Sequence, residues 1–397
     1  MSNNTIYLLS FLIPLVLTPM VLPAFELMAY RKRITDGPGP RKRQSRPVPL
    51  MGGTVMMLVI CVTSVVINLF CDISPLFPVI CVMCMLYIFG MMDDTIGLGW
   101  GFKLILQILA VLMLYLGTNY GIYSFYGIHL LENLSPLMSG VLTVFCGVML
   151  LNAVNFADGI DGLASAFGVM VGIVMGYWHT RHGFVTQAII SFIMVGVMSS
   201  FFFYNVFSKR YKSYMGDSGS LVLGLFIFIA VTNDRLFMLS GSFLADSYSF
   251  SFIIALLSVM IFDLIRVVVL RVLRHKVPYE GDRTHLHHLY VDMGMNHLMA
   301  TVILLLSNLA VIGVWFVSAI TGMPILPQLL LTILGGVVFV WLPYFQIVYL
   351  RRKHPSRYDK ISSRYKKIAS HVDCFVEFMG RVIDARWSKK HSKEKFN

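Results

Sequence analysis

Five of the six aspartates in four short polar stretches, together with three histidines, are the candidates for chemistry in an otherwise apolar chain. Asp93 and Asp94 lie in FGMMDDTIGLG (89–99), Asp158 and Asp161 in NAVNFADGIDGLA (152–164), Asp217 in YMGDSGS (214–220), and His285, His287 and His288 in GDRTHLHH (281–288). Five carboxylates brought together repel one another unless a cation joins them. Hard oxygen donors select Mg²⁺ or Mn²⁺, and magnesium takes only one or two carboxylates before completing its shell with water and phosphate. The remaining aspartates are then free to act as a base or to orient a sugar. Imidazoles can donate hydrogen bonds to phosphate, bind metal or pass a proton. Arg41, Lys42, Arg43, Arg46, Lys103, Lys209, Arg210, Lys212 and Arg283 offer an anion-binding rim. Carboxylates, a cation and a basic rim are the parts of a site that transfers a phosphoryl group carried by a nucleotide.

Spacing restricts how these groups are held. Asn152, Asn155, Asp158 and Asp161 are three apart, so neighbours share a helix face while the set drifts by about 60° per step. They cannot form one straight stripe, and Gly159 and Gly162 allow a break that would wrap a ligand. In GDSGS, Gly216 and Gly219 admit close backbone approach, and Asp217 or Ser218 could cap the following helix. The three histidines cannot all point one way in helix or strand, although pairs of them can. Each motif also has a plainer reading. Asp93 and Asp94 could be a solvated helix end, Asp217 a simple cap, Asp263 the partner of Arg266 one turn on, and the basic residues 41–46 a topology signal.

The elements that position these residues follow from hydropathy. The chain has 397 residues, of which 57% are hydrophobic and 13% charged. Its apolar runs recur at roughly the 17 to 25 residues that cross a bilayer. The fold class is therefore all-α and polytopic, with eleven spans expected at 6–30, 51–71, 75–92, 102–117, 137–153, 161–178, 185–207, 218–232, 250–272, 298–320 and 327–349. The runs are apolar all round, which excludes a soluble protein with amphipathic helices. Of the 32 Lys and Arg residues, all except Arg181 and Arg235 fall on one side of this layout. That side is cytoplasmic by the positive-inside rule, which puts the N-terminus outside and the C-terminus in the cytoplasm. The net charge of +12 suits an anionic lipid surface, and nucleic acid is not expected as a partner. The first run is too long for a cleavable signal and ends in Arg31-Lys32-Arg33, an anchor. Cys81 and Cys84 form a CxxC inside an apolar helix, where packing is the natural role.

Each of the four polar stretches follows an odd-numbered span, so all four face the cytoplasm and compose one site at the membrane boundary. A transporter would instead place its polar groups near mid-membrane on broken helices. A lipid-binding scaffold would need neither carboxylates for a metal nor a histidine cluster.

At these motifs the sequence resembles the polyprenyl-phosphate N-acetylhexosamine-1-phosphate transferase family over about residues 6 to 350. The resemblance rests on RKRQSRPVPLMGG (41–53), MDD (92–94), NAVNFADGIDGL (152–163), Asn205 ahead of YMGDSGS, and DRTHLHH (282–288). The HLHH form is similar to the WecA-like branch, which uses UDP-GlcNAc or a related UDP-N-acetylhexosamine and undecaprenyl phosphate. The resemblance implies a multi-pass enzyme of the bacterial inner membrane, its active site on the cytoplasmic face, initiating cell-envelope polysaccharide synthesis, with homodimers allowed. It implies Asp93, Asp94, Asp161 and His287 as catalytic residues. Asn152, Asn155, Asp158, Asn205, Arg283, His285, His288, Lys42 and Lys103 would bind substrate, and Asp217 with Asp158 would hold Mg²⁺ or Mn²⁺. Two departures stand out: Gln44 where relatives often carry histidine, and Tyr214 before Met-Gly-Asp. Residues 1–350 are expected to form the transferase domain and 351–397 a basic cytoplasmic tail, short and amphipathic or partly disordered.

Overall fold

A computed structural model describes residues 1–32, 35–36, 48–118, 120–125, 134–232, 250–275, 277 and 284–388. The helices are α1 (Asn3–Lys32), α2 (Gly52–Asn68), α3 (Phe77–Ile96), α4 (Trp100–Gly117), α5 (Pro136–Ala157), α6 (Leu163–Arg181), α7 (Val185–Val206), α8 (Gly216–Val231), α9 (Phe250–Leu256), α10 (Ser258–Leu273), α11 (Leu286–Asp292) and α12 (His297–Ile320). They are followed by α13 (Ile325–Lys353), which carries a π-turn over Val337–Trp341, and by α14 (Pro355–Ser388). Among the described residues, strand is confined to a two-residue ribbon pairing Thr35 with Pro49 and Asp36 with Val48.

Each of the eleven expected apolar runs is occupied by helix. Among the described residues, eight helices are long and apolar enough to cross a membrane on their own. The bent pair α9–α10 passes the same test together, and α2 and α8 are shorter apolar helices. Starts are set by local chemistry: Ser135 accepts from the Met138 N–H at 3.3 Å to cap α5, and Asn296 accepts from the Met299 N–H at 2.9 Å to cap α12. At the centre stands α8, whose residues from Ser218 to Val231 are all buried. A helix apolar all round is stable there because no face of it meets water. The outer helices turn Leu8, Val16 and Met20 of α1 and Ile105 and Leu116 of α4 outward, as lipid-facing surfaces require.

Glycines let the helices around α8 close up. A Cβ on Gly90 of α3 would fall 2.4 Å from Ser218 Cα, and one on Gly53 of α2 would fall 2.4 Å from Gly219 N. The starts of α2 and α8 are tied further by the Gly52 N–H donating to Tyr214 O at 3.0 Å and the Gly53 N–H to Met215 O at 3.1 Å.

Two expectations are corrected. The run 250–272 is not one straight span: α9 and α10 meet at 81°. Buried Asn308 of α12 serves the corner, accepting from the Val259 N–H at 3.0 Å and donating to Leu256 O at 2.9 Å. The tail is not short: through residue 388 it is the helix α14, 34 residues long, one face of which packs on the rest of the protein. It docks along the ends of α7, α11 and α12. The Tyr358 hydroxyl lies 3.5 Å from Asp292 O, Asn296 Nδ2 donates to Asp373 at 2.8 Å, and the Ser208 hydroxyl donates to Asp384 at 2.6 Å.

Candidate active site

Helix α3 continues four residues beyond the expected end of its span, so Asp93 and Asp94 lie on its last helical turn. The helix stops at Gly97, whose φ of +69° suits a residue without a side chain. Asp93 Oδ1 accepts from the Leu98 N–H at 2.7 Å, and its Oδ2 meets the Lys103 ammonium at 2.9 Å. Asp94 accepts from the backbone of α8, Asp217 N–H at 2.8 Å and Ser218 N–H at 3.0 Å. The cap of α8 thus comes from another helix, and neither Asp217 nor Ser218 caps it. The close approach needs Gly216, since a Cβ there would sit 2.6 Å from Asp94 Oδ2.

Asp217, on the first turn of α8, is bonded to the same Lys103 and accepts from Asn155 Nδ2 at 2.6 Å. Asn155 also donates to the Ser220 hydroxyl at 2.8 Å. Lys103 therefore joins Asp93 to Asp217 and supplies one of the positive charges that the aspartates demand. Asn152, one turn earlier on α5, pairs with Gln107 of α4 at 2.8 Å.

Helix α5 ends at Ala157, and the chain turns through 158–162 before α6 begins after Gly162, with φ of +85°. Asn205 holds that turn from below. Its Oδ1 accepts from the Gly162 N–H at 2.6 Å and its Nδ2 donates to Ser213 O at 2.8 Å, so both ends of the amide are engaged with backbone. Asp161 is clamped by the Lys212 ammonium at 2.6 Å and by His297 Nδ1 at 2.8 Å. Loss of water around Asp161 opposes its charge, but His297 and Lys212 outweigh that and hold its pKa below the usual carboxylate value. Asp158 is the opposite case. Among the described residues no hydrogen bond or ion pair reaches its side chain. Desolvation first, and then the charges of Asp217, Asp161 and Asp94, push its pKa well above the usual value.

The histidine loop is anchored on α10. Asp263 accepts from Arg266 Nη2 at 2.6 Å, lies 2.8 Å from His285 Nδ1 and accepts from the Leu286 N–H at 3.1 Å. Arg266 is buried, packs its guanidinium 3.7 Å over the Tyr344 ring and donates to Thr284 O at 2.8 Å. The pairing of Asp263 with Arg266 is therefore real, and it also fixes His285. His287 is buried against the 158–162 turn: a Cβ on Gly159 would fall 2.4 Å from its Nε2, which has no hydrogen-bond partner among the described residues. Burial, with His288 and His285 adjacent, drives the His287 pKa well below 6.5, so the ring is neutral. A cavity lined by Phe156, Phe167, Met260, Asp263, His285 and His287 opens beside it.

The four polar stretches thus meet at one end of the bundle. Lys42 and Arg283 lie outside the described residues. Sequence reasoning missed Gln107 and His297. Both left a signal, since a polar residue within a span and a histidine at a helix N-terminus are each disfavoured without a purpose.

Residues 76–233 match the sequence model of glycosyl transferase family 4. The chain is 25% identical over 345 residues to the "Probable undecaprenyl-phosphate N-acetylglucosaminyl 1-phosphate transferase" of Bacillus subtilis (strain 168), covering 86% of this chain and 90% of that one. It is 26% identical over 294 residues to the undecaprenyl-phosphate alpha-N-acetylglucosaminyl 1-phosphate transferase of Escherichia coli (strain K12), covering 72% and 77%. It is also 30% identical over 233 residues to the phospho-N-acetylmuramoyl-pentapeptide-transferase of Staphylococcus carnosus (strain TM300), covering 55% and 72%. With the motifs in order, their side chains gathered at one end of a helical membrane bundle and these relatives alongside, the chain belongs to the polyprenyl-phosphate N-acetylhexosamine-1-phosphate transferase family.

Proposed function

We propose that the protein transfers N-acetylhexosamine-1-phosphate from UDP-GlcNAc to undecaprenyl phosphate at the cytoplasmic face of the bacterial inner membrane. An oxygen of the lipid phosphate attacks the sugar-linked phosphorus of the nucleotide. The bond from that phosphorus to the bridging oxygen breaks, UMP leaves, and the sugar remains on a polyprenyl diphosphate. The observation that carries this reading is the joint placement of Asp93, Lys103 and Asp217 at the membrane-boundary end of α3, α4 and α8. One greasy and one highly charged substrate have to meet at such a boundary.

The chain's own residues divide the work. Lys103 offers an ammonium to phosphate oxygens once a substrate competes for it. Asp93 and Asp94 flank the place for the lipid phosphate and accept its proton. Each carboxylate has about four acceptor positions, so the backbone bonds to Asp94 leave it others. Neutral His287 presents an unpartnered Nε2 toward the 158–162 turn, suited to donating to the diphosphate. Asn155 and Asn205 hold Asp217 and the turn in place.

The donor set fits a hard cation. Asp158 and Asp217 repel each other, and Asp158 lacks a partner among the described residues. Among those residues no group of three His, Cys, Asp or Glu side chains is arranged to hold a metal ion, so most of an ion's shell would have to come from water and substrate phosphate. Asp217 and Asp158 would hold Mg²⁺ or Mn²⁺, which would neutralise charge on the diphosphate.

Transfer of radiolabel from UDP-GlcNAc to undecaprenyl phosphate by the purified protein tests the reading. Lipid-linked label that depends on Mg²⁺ and releases UMP is expected. Label unaffected by chelator would remove the metal, and no label from any UDP-N-acetylhexosamine would remove the substrate assignment. Cysteines placed at positions 284 and 235 should react with impermeant reagent from opposite sides of the membrane; reaction from one side would overturn the cytoplasmic placement.

A further inference from the structure

Helix α14 belongs to the part of the chain that the family motifs do not reach, yet it touches both loops that deliver partners to Asp161. The 207–212 loop carries Lys212. On it, Asp384 accepts from the Ser208 hydroxyl at 2.6 Å and from the N–H groups of Lys209 and Arg210, each at 3.2 Å. The 292–297 loop carries His297. On it, Asn296 Nδ2 donates to Asp373 at 2.8 Å, and Gly294 packs against Ser362 O, 3.1 Å from where a Cβ would stand.

Ala369 O also lies 3.5 Å from Asn296 Nδ2, and the contact residues Ser362, Ala369, Asp373, Gly380 and Asp384 recur at intervals of four or seven, which puts them on one face of the helix. The approach is close because Gly380 has no side chain: a Cβ there would fall 2.5 Å from Phe207 O. The Lys209–Glu377 pair at 2.7 Å is exposed on both sides and adds little. One rigid rod thus spans two loops that are far apart in sequence, and both loops end on the carboxylate of Asp161, at 2.6 and 2.8 Å.

We propose that α14 is a positioning element for the active site: through Asp384 and Asp373 it fixes the loops of Lys212 and His297, and these set the 158–162 turn. The turn carries Asp158 and abuts His287, so its placement governs the nucleotide-sugar side of the site. This last step rests on the function proposed above, whereas the mechanical link does not.

The test uses the full chain in lipid nanodiscs and two readouts. Hydrogen–deuterium exchange is followed in peptides covering 158–163, 207–213 and 292–297, and KM and kcat are measured for each substrate. Asp384→Ala is expected to raise exchange several-fold both at 207–213 and, without contact, at 158–163. It should raise nucleotide-sugar KM several-fold while leaving lipid KM in place. Asp384→Asn, which keeps one acceptor oxygen, should recover part of both effects. Asp384→Ala combined with Lys212→Ala should be no worse than Lys212→Ala alone, because both act through one loop. Gly380→Ala, which lifts the helix by its backbone contact, provides a second route to the same result. Looser 207–213 with unchanged exchange at 158–163 would overturn the proposal, as would fully additive effects on KM. Coupled exchange in a protein that does not turn over UDP-GlcNAc would keep the brace and remove only the substrate assignment.

Discussion

Asp94 caps a helix to which it does not belong: its carboxylate oxygens accept the backbone N–H groups of Asp217 and Ser218, at 2.8 and 3.0 Å. The bond places α3's acidic turn at the positive end of α8, where a carboxylate is favoured and where α8 would otherwise present unsatisfied donors. It also sets the distance between the Asp93–Asp94 pair and Asp217, so the geometry of the site depends on this contact.

Asp94 therefore has two separable effects when changed. Asp94→Ala removes the cap and should destabilise the protein by about 1 kcal/mol, visible as a lower midpoint in thermal unfolding. Asp94→Asn keeps an acceptor, so its cost should lie in rate. A lipid monophosphate has a second pKa of about 6, and a base is needed only by the protonated fraction. The Asp94→Asn rate deficit should therefore shrink between about pH 6.5 and about pH 9. A deficit that stays constant across that range would replace proton acceptance with a purely electrostatic role.

Asp217→Asn removes one charge from the proposed cation site while preserving the acceptor for Asn155 Nδ2. Folding and membrane insertion should be retained and turnover should fall by at least about a hundredfold, the size expected for loss of an electrostatic group in a preorganised site. Near-normal turnover at the same Mg²⁺ concentration would contradict the assignment.

His287 and Gly159 should fail together. His287→Ala is expected to raise KM for the nucleotide sugar and leave lipid KM unchanged. Gly159→Ala should give a similar profile with every histidine in place, because the added Cβ would fall 2.4 Å from His287 Nε2. A Gly159→Ala enzyme with wild-type kinetics would separate the turn from the histidine.

Asp158 and Asp161 should respond to pH with opposite signs. The raised pKa of Asp158 means that the folded state binds its proton more tightly than the unfolded state does, so its contribution to stability is lost as pH rises from the ordinary carboxylate range through the folded value. The lowered pKa of Asp161 gives stability that is present above the ordinary range and is lost as pH falls through the folded value. In chelator at neutral pH, Asp158→Asn should raise the unfolding temperature by a few degrees, with the gain fading toward about pH 4, near the ordinary carboxylate pKa. Asp161→Asn should lower the unfolding temperature. Equal shifts of one sign would refute this pairing.

Much of this architecture is legible in the sequence because lipid imposes a simple code. The eleven apolar runs each hold a helix, and the drift of Asn152, Asn155, Asp158 and Asp161 correctly requires the turn that Gly162 makes. What stays hidden depends on partners distant in the chain. Asp93 and Asp94 read as the end of a span, yet α3 keeps its helical form through them because Lys103 and the first N–H groups of α8 offset their charge. Nothing near Asp161 announces Lys212 or His297, and nothing near Ser208 announces Asp384. Asn205 stands among the substrate contacts only through the family resemblance, and the fold reveals that both ends of its amide are taken by backbone.

The corner between α9 and α10 bears on the order in which the protein is made. Asn308, which serves the Leu256 carbonyl and the Val259 N–H, belongs to α12 and emerges after both halves of the bend. Before it arrives, those groups would face hydrocarbon at a cost of several kcal/mol each if the bend already existed. A straight helix over the same residues satisfies them internally. The 81° corner therefore depends on α12 lying beside it, and is expected to form only once that helix is in place.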